Sequence, residues 1–136
     1  MVIGQTGAGK SAFIEFICGP NRVRVSNDAA KSCTKSITKL EVPEIGITIY
    51  DTPGFGDLEA LTDAQICAML IQQIAAGTKS RSLDGIIIIQ PSTADRWACL
   101  ATIDRLKELF GNEVCGKIQV IINKVEDQIT KKGKKL

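Results

Sequence analysis

The sequence predicts an α/β fold: a mostly parallel sheet with one antiparallel edge strand and helices on both faces. Three observations carry that prediction. The runs "GIIIIQ" and "KIQVIIN" are continuous and apolar, the pattern of strands buried inside a parallel sheet. Such runs alternate with longer segments whose apolar residues recur at helical spacing. A glycine-rich turn then separates the first short apolar run from the first helical one.

The elements follow in order. Met1-Val2-Ile3 reads as a buried strand, and residues 10–18 as a helix with Phe13, Phe16 and Ile17 on its apolar side. Gly19-Pro20-Asn21 ends that helix, and a long polar loop runs to Ser36. Long ordered loops in compact domains tend to be functional. Residues 36–42 and 45–50 form a strand pair turned at Pro43-Glu44, with Asp51 at its end. A helix spans residues 58–76, with Leu61, Ala64, Cys67, Ala68, Ile71 and Ile74 at helical spacing. After the buried strand "GIIIIQ", Trp97, Leu100, Ile103, Leu106 and Phe110 mark the face of a third helix, closed by Gly111. "KIQVIIN" is the last buried strand, and a lysine-rich tail follows.

Composition narrows the chemistry. The 136 residues suit one domain, with neither repeats nor an internal boundary. The net charge of +2 is too small to argue for nucleic acid or a membrane surface as partner. Unbroken apolar stretches such as Ile86–Ile89 are far short of a membrane span, and a cytoplasmic location is expected. The five cysteines are widely spaced without a C-x-x-C, so buried free thiols are expected rather than disulfides or zinc. The chain has no histidine, which excludes Ser-His and Cys-His hydrolases.

"GQTGAGKS" fits G-x-x-x-x-G-K-[ST] and stands between the first strand and the first helix, as that motif requires. Its glycines let successive backbone N–H groups curl around a polyanion, and the helix dipole adds positive charge beneath it. The expected cradle is Gly4, Gln5, Thr6, Gly7, Ala8, Gly9, Lys10, Ser11 and Ala12. Lys10 reaches the β- and γ-phosphates, and the Ser11 hydroxyl ligates Mg²⁺. In "DTPG", Asp51 holds a magnesium-bound water and Gly54 offers its N–H to the γ-phosphate. "INKVEDQ" closes the set. Asn123 and Lys124 at a strand end, with Glu126 two residues later, are the pattern with which GTPases read guanine. Aspartate is usual where Glu126 stands; Glu adds a methylene and a torsion, and Asp127 serves instead if the loop shifts by one residue.

The order of these parts resembles a P-loop NTPase of the Ras-like G-domain type, and more closely the septin, chloroplast-import (Toc) and immunity-associated (GIMAP, avirulence-induced) group. "KSCTKSITK" resembles the switch-one box of the immunity-associated GTPases, and "ADRWACLATIDRLKELFGNEV" the box peculiar to that family; "DTPGFGD" is equally septin-like. The resemblance implies one G domain over residues 1–136, lacking the last strand and helix and truncated at both ends. It implies Mg²⁺ with GTP or GDP as ligand. Thr34 would meet Mg²⁺ and the γ-phosphate, with Thr38 as the alternative. Phe55 stands where Ras-like enzymes place a water-orienting glutamine, which implies slow hydrolysis. Pairing of two copies through the nucleotide face, with Arg96 offered to the facing subunit, would complete the site. A septin-like assembly module with incidental turnover, an ATP-using protein and a non-binding remnant remain alternatives.

Overall fold

A computed structural model describes residues 1–20, 36–55, 62–77 and 83–123. Its strands are β1 (Val2–Ile3), β2 (Thr38–Val42), β3 (Ile47–Asp51), β4 (Ile86–Pro91) and β5 (Ile118–Asn123). Its helices are α1 (Lys10–Cys18), α2 (Asp63–Gly77) and α3 (Arg96–Phe110), with a short 3-10 helix over Asn112–Lys117. The strands form one sheet in the order β2-β3-β1-β4-β5. β1 runs parallel to β3 and to β4, β4 runs parallel to β5, and β2 is antiparallel to β3. The expected α/β class is therefore observed. Parallel pairing requires crossovers, and these place α1 on one face and α2 and α3 on the other.

Alternation along the strands feeds two cores. Ile3, Tyr50, Ile86 and Ile88 point to the side where Ile66 and Leu70 of α2 and Leu106 of α3 pack. Val2, Ile49 and Ile89 point to the other, against Ile14 and Cys18 of α1. The parallel strands all deliver their C-terminal ends to one edge of the sheet, where open α/β folds bind ligands. Among the described residues no helix is long and apolar enough to cross a membrane.

Several helix faces differ from the expectation, and each has a cause. Phe16 is 87% exposed and Ile17 lies at the surface, whereas Lys10, Ile14 and Cys18 are buried. Lys10 must turn inward at the end of the glycine loop, and that fixes the rotation of α1. The i+4 and i+8 positions, Ile14 and Cys18, then follow it into the core. In α2 the buried residues are Ile66, Cys67, Leu70 and Ile74, while Ala64, Ala68 and Ile71 face outward. Leu61 lies outside the described residues.

The start of α2 is set by a capping box, T-x-x-Q, that the periodicity does not reveal. The Thr62 N–H donates to Gln65 Oε1 at 2.9 Å, and the Gln65 N–H donates to Thr62 Oγ1 at 3.3 Å. The helix therefore begins at Asp63 rather than near residue 58. In α3 the core stripe runs through Cys99, Ile103, Leu106 and Phe110. At about 100° per residue, Trp97 lies about 160° and Leu100 about 100° round the helix from Cys99. Both are exposed, at 63% and 47%.

The strand pair is also shorter than expected. The turn occupies residues 43–46, with the Ile45 N–H on Val42 O and the Gly46 N–H on Pro43 O, so β3 starts at Ile47. β5 is an edge strand among the described residues, with Val120 and Ile122 exposed, and is not the fully buried strand expected. Cys18 and Cys67 are buried free thiols, Cys99 is half-buried, and Cys115 is exposed against expectation. Cys33 and the lysine-rich tail lie outside the described residues.

Candidate functional site

The site is built where β1 ends and α1 begins. Gly9 caps α1 with φ 92°, and its carbonyl accepts the first helical bond, from the Phe13 N–H at 2.9 Å. A side chain there would be strained by that φ, and its Cβ would come within 2.5 Å of Asn123 Nδ2. The Ala8 N–H donates to Gln5 O at 3.2 Å, which closes the loop on itself. Lys10 is 7% exposed, and its ammonium donates to Gly4 O at 3.0 Å and Gln5 O at 2.9 Å. The charge that the sequence assigns to phosphates is thus held under the loop by the loop's own carbonyls.

Asp51 ends β3 beside this loop and is 1% exposed. Its Oδ2 accepts from Ser11 Oγ at 3.2 Å, whereas Oδ1 is buried without a hydrogen-bond partner. Burial, opposed by the Asp51 charge, pulls the Lys10 ammonium down to about 8. Burial also pushes the Asp51 carboxyl up, against the Ser11 hydrogen bond, the Lys10 charge and, last, the Thr52 backbone N–H. Both groups are therefore charged at a cost in the ligand-free protein, a cost that a polyanion and a cation would each relieve.

The donor set fits magnesium. A hydroxyl and one carboxylate with an orphaned oxygen suit an ion that keeps its remaining positions for phosphate and water. Among the described residues no three His, Cys, Asp or Glu side chains cluster as a self-sufficient metal cage.

Beyond Asp51 the chain is zipped to β1 and the loop. Thr52 Oγ1 donates to Val2 O at 3.0 Å, the Phe55 N–H donates to Gly4 O at 3.1 Å, and Gln5 and Phe55 form a parallel bridge. Phe55, read from sequence only as a missing glutamine, is 5% exposed and packs in the core beneath α2. Burying its ring contributes roughly 2 kcal/mol toward holding Gly54 beside the phosphate loop. Sequence reasoning overlooked this anchor, whose signal was an aromatic where a polar residue is usual.

At the far end, β5 delivers Asn123 to the loop. Its Nδ2 donates to Ala8 O at 3.2 Å, joining residues 115 positions apart. The Asn123 carbonyl accepts from the Ser92 N–H at 2.8 Å, which ties the same strand end to β4. Residues 4–12, Asp51, Gly54 and Asn123 are thus gathered at one edge of the sheet. Arg96 opens α3, its guanidinium 5.5 Å from the centroid of the exposed Trp97 ring. Thr34, Lys124, Glu126 and Asp127 lie outside the described residues. Thr38, the alternative to Thr34, is the first residue of β2, in register with Asp51, and belongs to the sheet rather than to a loop.

Comparisons with known proteins agree with this fold. A structure of Toc33 from Arabidopsis thaliana, a dimerization-deficient arginine-to-alanine mutant, has the same fold with a TM-score of 0.67 and 20% identity. The match covers 93% of this chain and 52% of that one, so the chain spans about half its length. None of the curated proteins matches it in sequence. The family profile described as 50S ribosome-binding GTPase matches residues 1–129, nearly the whole chain, and the chain belongs to that family of P-loop GTPases.

Proposed function

We propose that this domain binds Mg²⁺ with GTP or GDP, hydrolyses GTP slowly, and changes state through the segments around Thr34 and Gly54. The observation that carries the reading is the Asn123 Nδ2 bond to Ala8 O, which couples the guanine-reading strand to the phosphate loop. Asn123, Lys124 and Glu126 read the base. Glu126 in place of Asp softens base selectivity by about 1 kcal/mol. Gly4 to Ala12 and Lys10 hold the phosphates. Ser11 and Thr34 ligate magnesium, and Asp51 holds one of its waters.

In the reaction water attacks the γ-phosphorus, its bond to the GDP oxygen breaks, and phosphate leaves. Lys10, the loop amides and Gly54 stabilise the charge that spreads over the γ-oxygens, and Mg²⁺ neutralises the rest when bound. Phe55 is committed to the core and cannot orient the water, which is why turnover is slow. A competition assay with a fluorescent GDP analogue tests the reading: GDP displaces it at least tenfold better than ADP. Equal displacement would leave a phosphate site without a guanine reader.

A dimeric form of the same reading is supported by two features. "KSCTKSITK" and the box over residues 94–114 resemble boxes of the immunity-associated GTPases, and the Toc33 structure is that of a dimerization-deficient arginine-to-alanine mutant. Arg96 is exposed on the first turn of α3 and stacked on Trp97. In this form Arg96 is offered to the γ-phosphate of a facing copy. GTPase activity per molecule then rises with protein concentration, and Arg96→Ala flattens that rise about tenfold. An unchanged concentration dependence in the variant removes Arg96 from the site.

A further inference from the structure

Gly54 does not merely lie near the phosphate loop. A Cβ built on it would run into Thr6 Oγ1 and would stand 2.6 Å from Thr6 N and 2.7 Å from Thr6 Cα. The Thr6 side chain and backbone therefore form the surface on which Gly54 rests. The next residue, Phe55, is fixed through its N–H on Gly4 O and its ring in the core. Gly54 is thus held by two supports, the Thr6 contact at its own position and the Phe55 anchor one residue later.

We propose that Thr6 is a positioning residue that sets discrimination between triphosphate and diphosphate. The inference rests on the reading of Gly54 as the N–H donor to the γ-phosphate, and it gives the Thr6 side chain a role separate from the phosphate-binding backbone of its loop. The physical argument is one of preorganisation. A donor aimed at a charged oxygen contributes most when it need not be reorganised as the ligand arrives. Thr6 removes the freedom of Gly54 to retreat toward the loop, so the N–H is already placed when a γ-phosphate is present. A diphosphate lacks the group that Gly54 would meet, so its affinity is indifferent to the Thr6 side chain. Phe55 alone does not supply this, because its N–H and ring fix the residue after Gly54, whereas the Thr6 contact is made at Gly54 itself.

The test is equilibrium binding of a fluorescent GDP analogue and of a non-hydrolysable GTP analogue, both with Mg²⁺, to the wild-type chain and to Thr6→Ala and Thr6→Ser. Thr6→Ala is expected to weaken the triphosphate about tenfold more than the diphosphate. Thr6→Ser, which keeps the hydroxyl that meets Gly54, restores the triphosphate to within about threefold of wild type. Melting temperature without nucleotide serves as the folding control and stays unchanged in both variants. Parallel losses for both nucleotides in Thr6→Ala would make Thr6 an ordinary part of the loop and overturn the inference alone, as would no loss for either. A wild-type chain that binds neither analogue would overturn the nucleotide-site reading itself, and this inference with it.

Discussion

Lys10→Met lowers nucleotide affinity by at least about a thousandfold, about 4 kcal/mol, yet leaves the ligand-free melting temperature within about 3 °C of wild type. Two opposing terms produce the second result. Burial brings the Lys10 pKa from 10.5 to about 8, so below pH 8 the charged form costs the ligand-free fold about 3 kcal/mol. Against this stand the hydrogen bonds from Nζ to Gly4 O and Gln5 O, which at about 1.5 kcal/mol or more each offset most of that cost. The methionine removes both terms together.

The sign of the pH dependence follows from the same shift. Between pH 8 and 10.5 the unfolded chain binds more protons at Lys10 than the folded one, so ligand-free stability rises with pH across that window. Nucleotide binding runs the other way, because a polyanion selects the ammonium. Affinity is level below about pH 7 and falls about fourfold from pH 7 to pH 8.5. Titration calorimetry on both proteins checks these results together. Micromolar binding by Lys10→Met, or affinity that rises with pH, would remove Lys10 from the phosphate site.

The contrast between what the sequence revealed and what it hid has a physical basis. The phosphate loop was legible because its constraints are local: glycines, a lysine and a serine at fixed spacing between a strand and a helix. The buried strands were legible because "GIIIIQ" can hardly be anything else in a chain of this composition. Helix faces were read less well. Phe16, Ile71, Trp97 and Leu100 are as apolar as the residues that are buried, and periodicity alone does not say which of two adjacent stripes meets the sheet. For α1 that choice is made by a tertiary anchor, the inward turn of Lys10, whereas for α2 the local Thr62–Gln65 box fixes only where the helix starts. The Asn123–Ala8 bond and the Thr6–Gly54 contact lie at still greater sequence separation, and no local pattern encodes them. Phe55 is the instructive case. Its departure from the glutamine pattern was visible, but its consequence, a core anchor that holds Gly54, required the packing.

Gly4→Ala is the substitution expected to cost the fold most. Gly4 has φ +148°, and a Cβ there would run into Ile89 O, with Ile89 C at 3.2 Å and Ile89 N at 3.5 Å. Neither partner can yield cheaply. Ile89 lies inside β4 in register with Ile121 of β5, and the Gly4 carbonyl holds both the Lys10 ammonium and the Phe55 N–H. Moving Gly4 away from β4 would therefore disturb the Lys10 ammonium and the Gly54 support at once. A backbone collision of this kind costs about 3 kcal/mol or more, a large share of the 5–15 kcal/mol that typically holds a domain together. The melting temperature then falls by about 10 °C or more. Gly46→Ala separates collision from backbone strain: Gly46 has φ +67° in the β2–β3 turn and nothing within 4 Å of a built Cβ. Its cost is the left-handed conformation alone, about 1 kcal/mol. If the two variants melted within about 2 °C of each other, the close approach of the phosphate loop to β4 would be wrong. The packing that delivers Lys10 to its site would then be wrong as well.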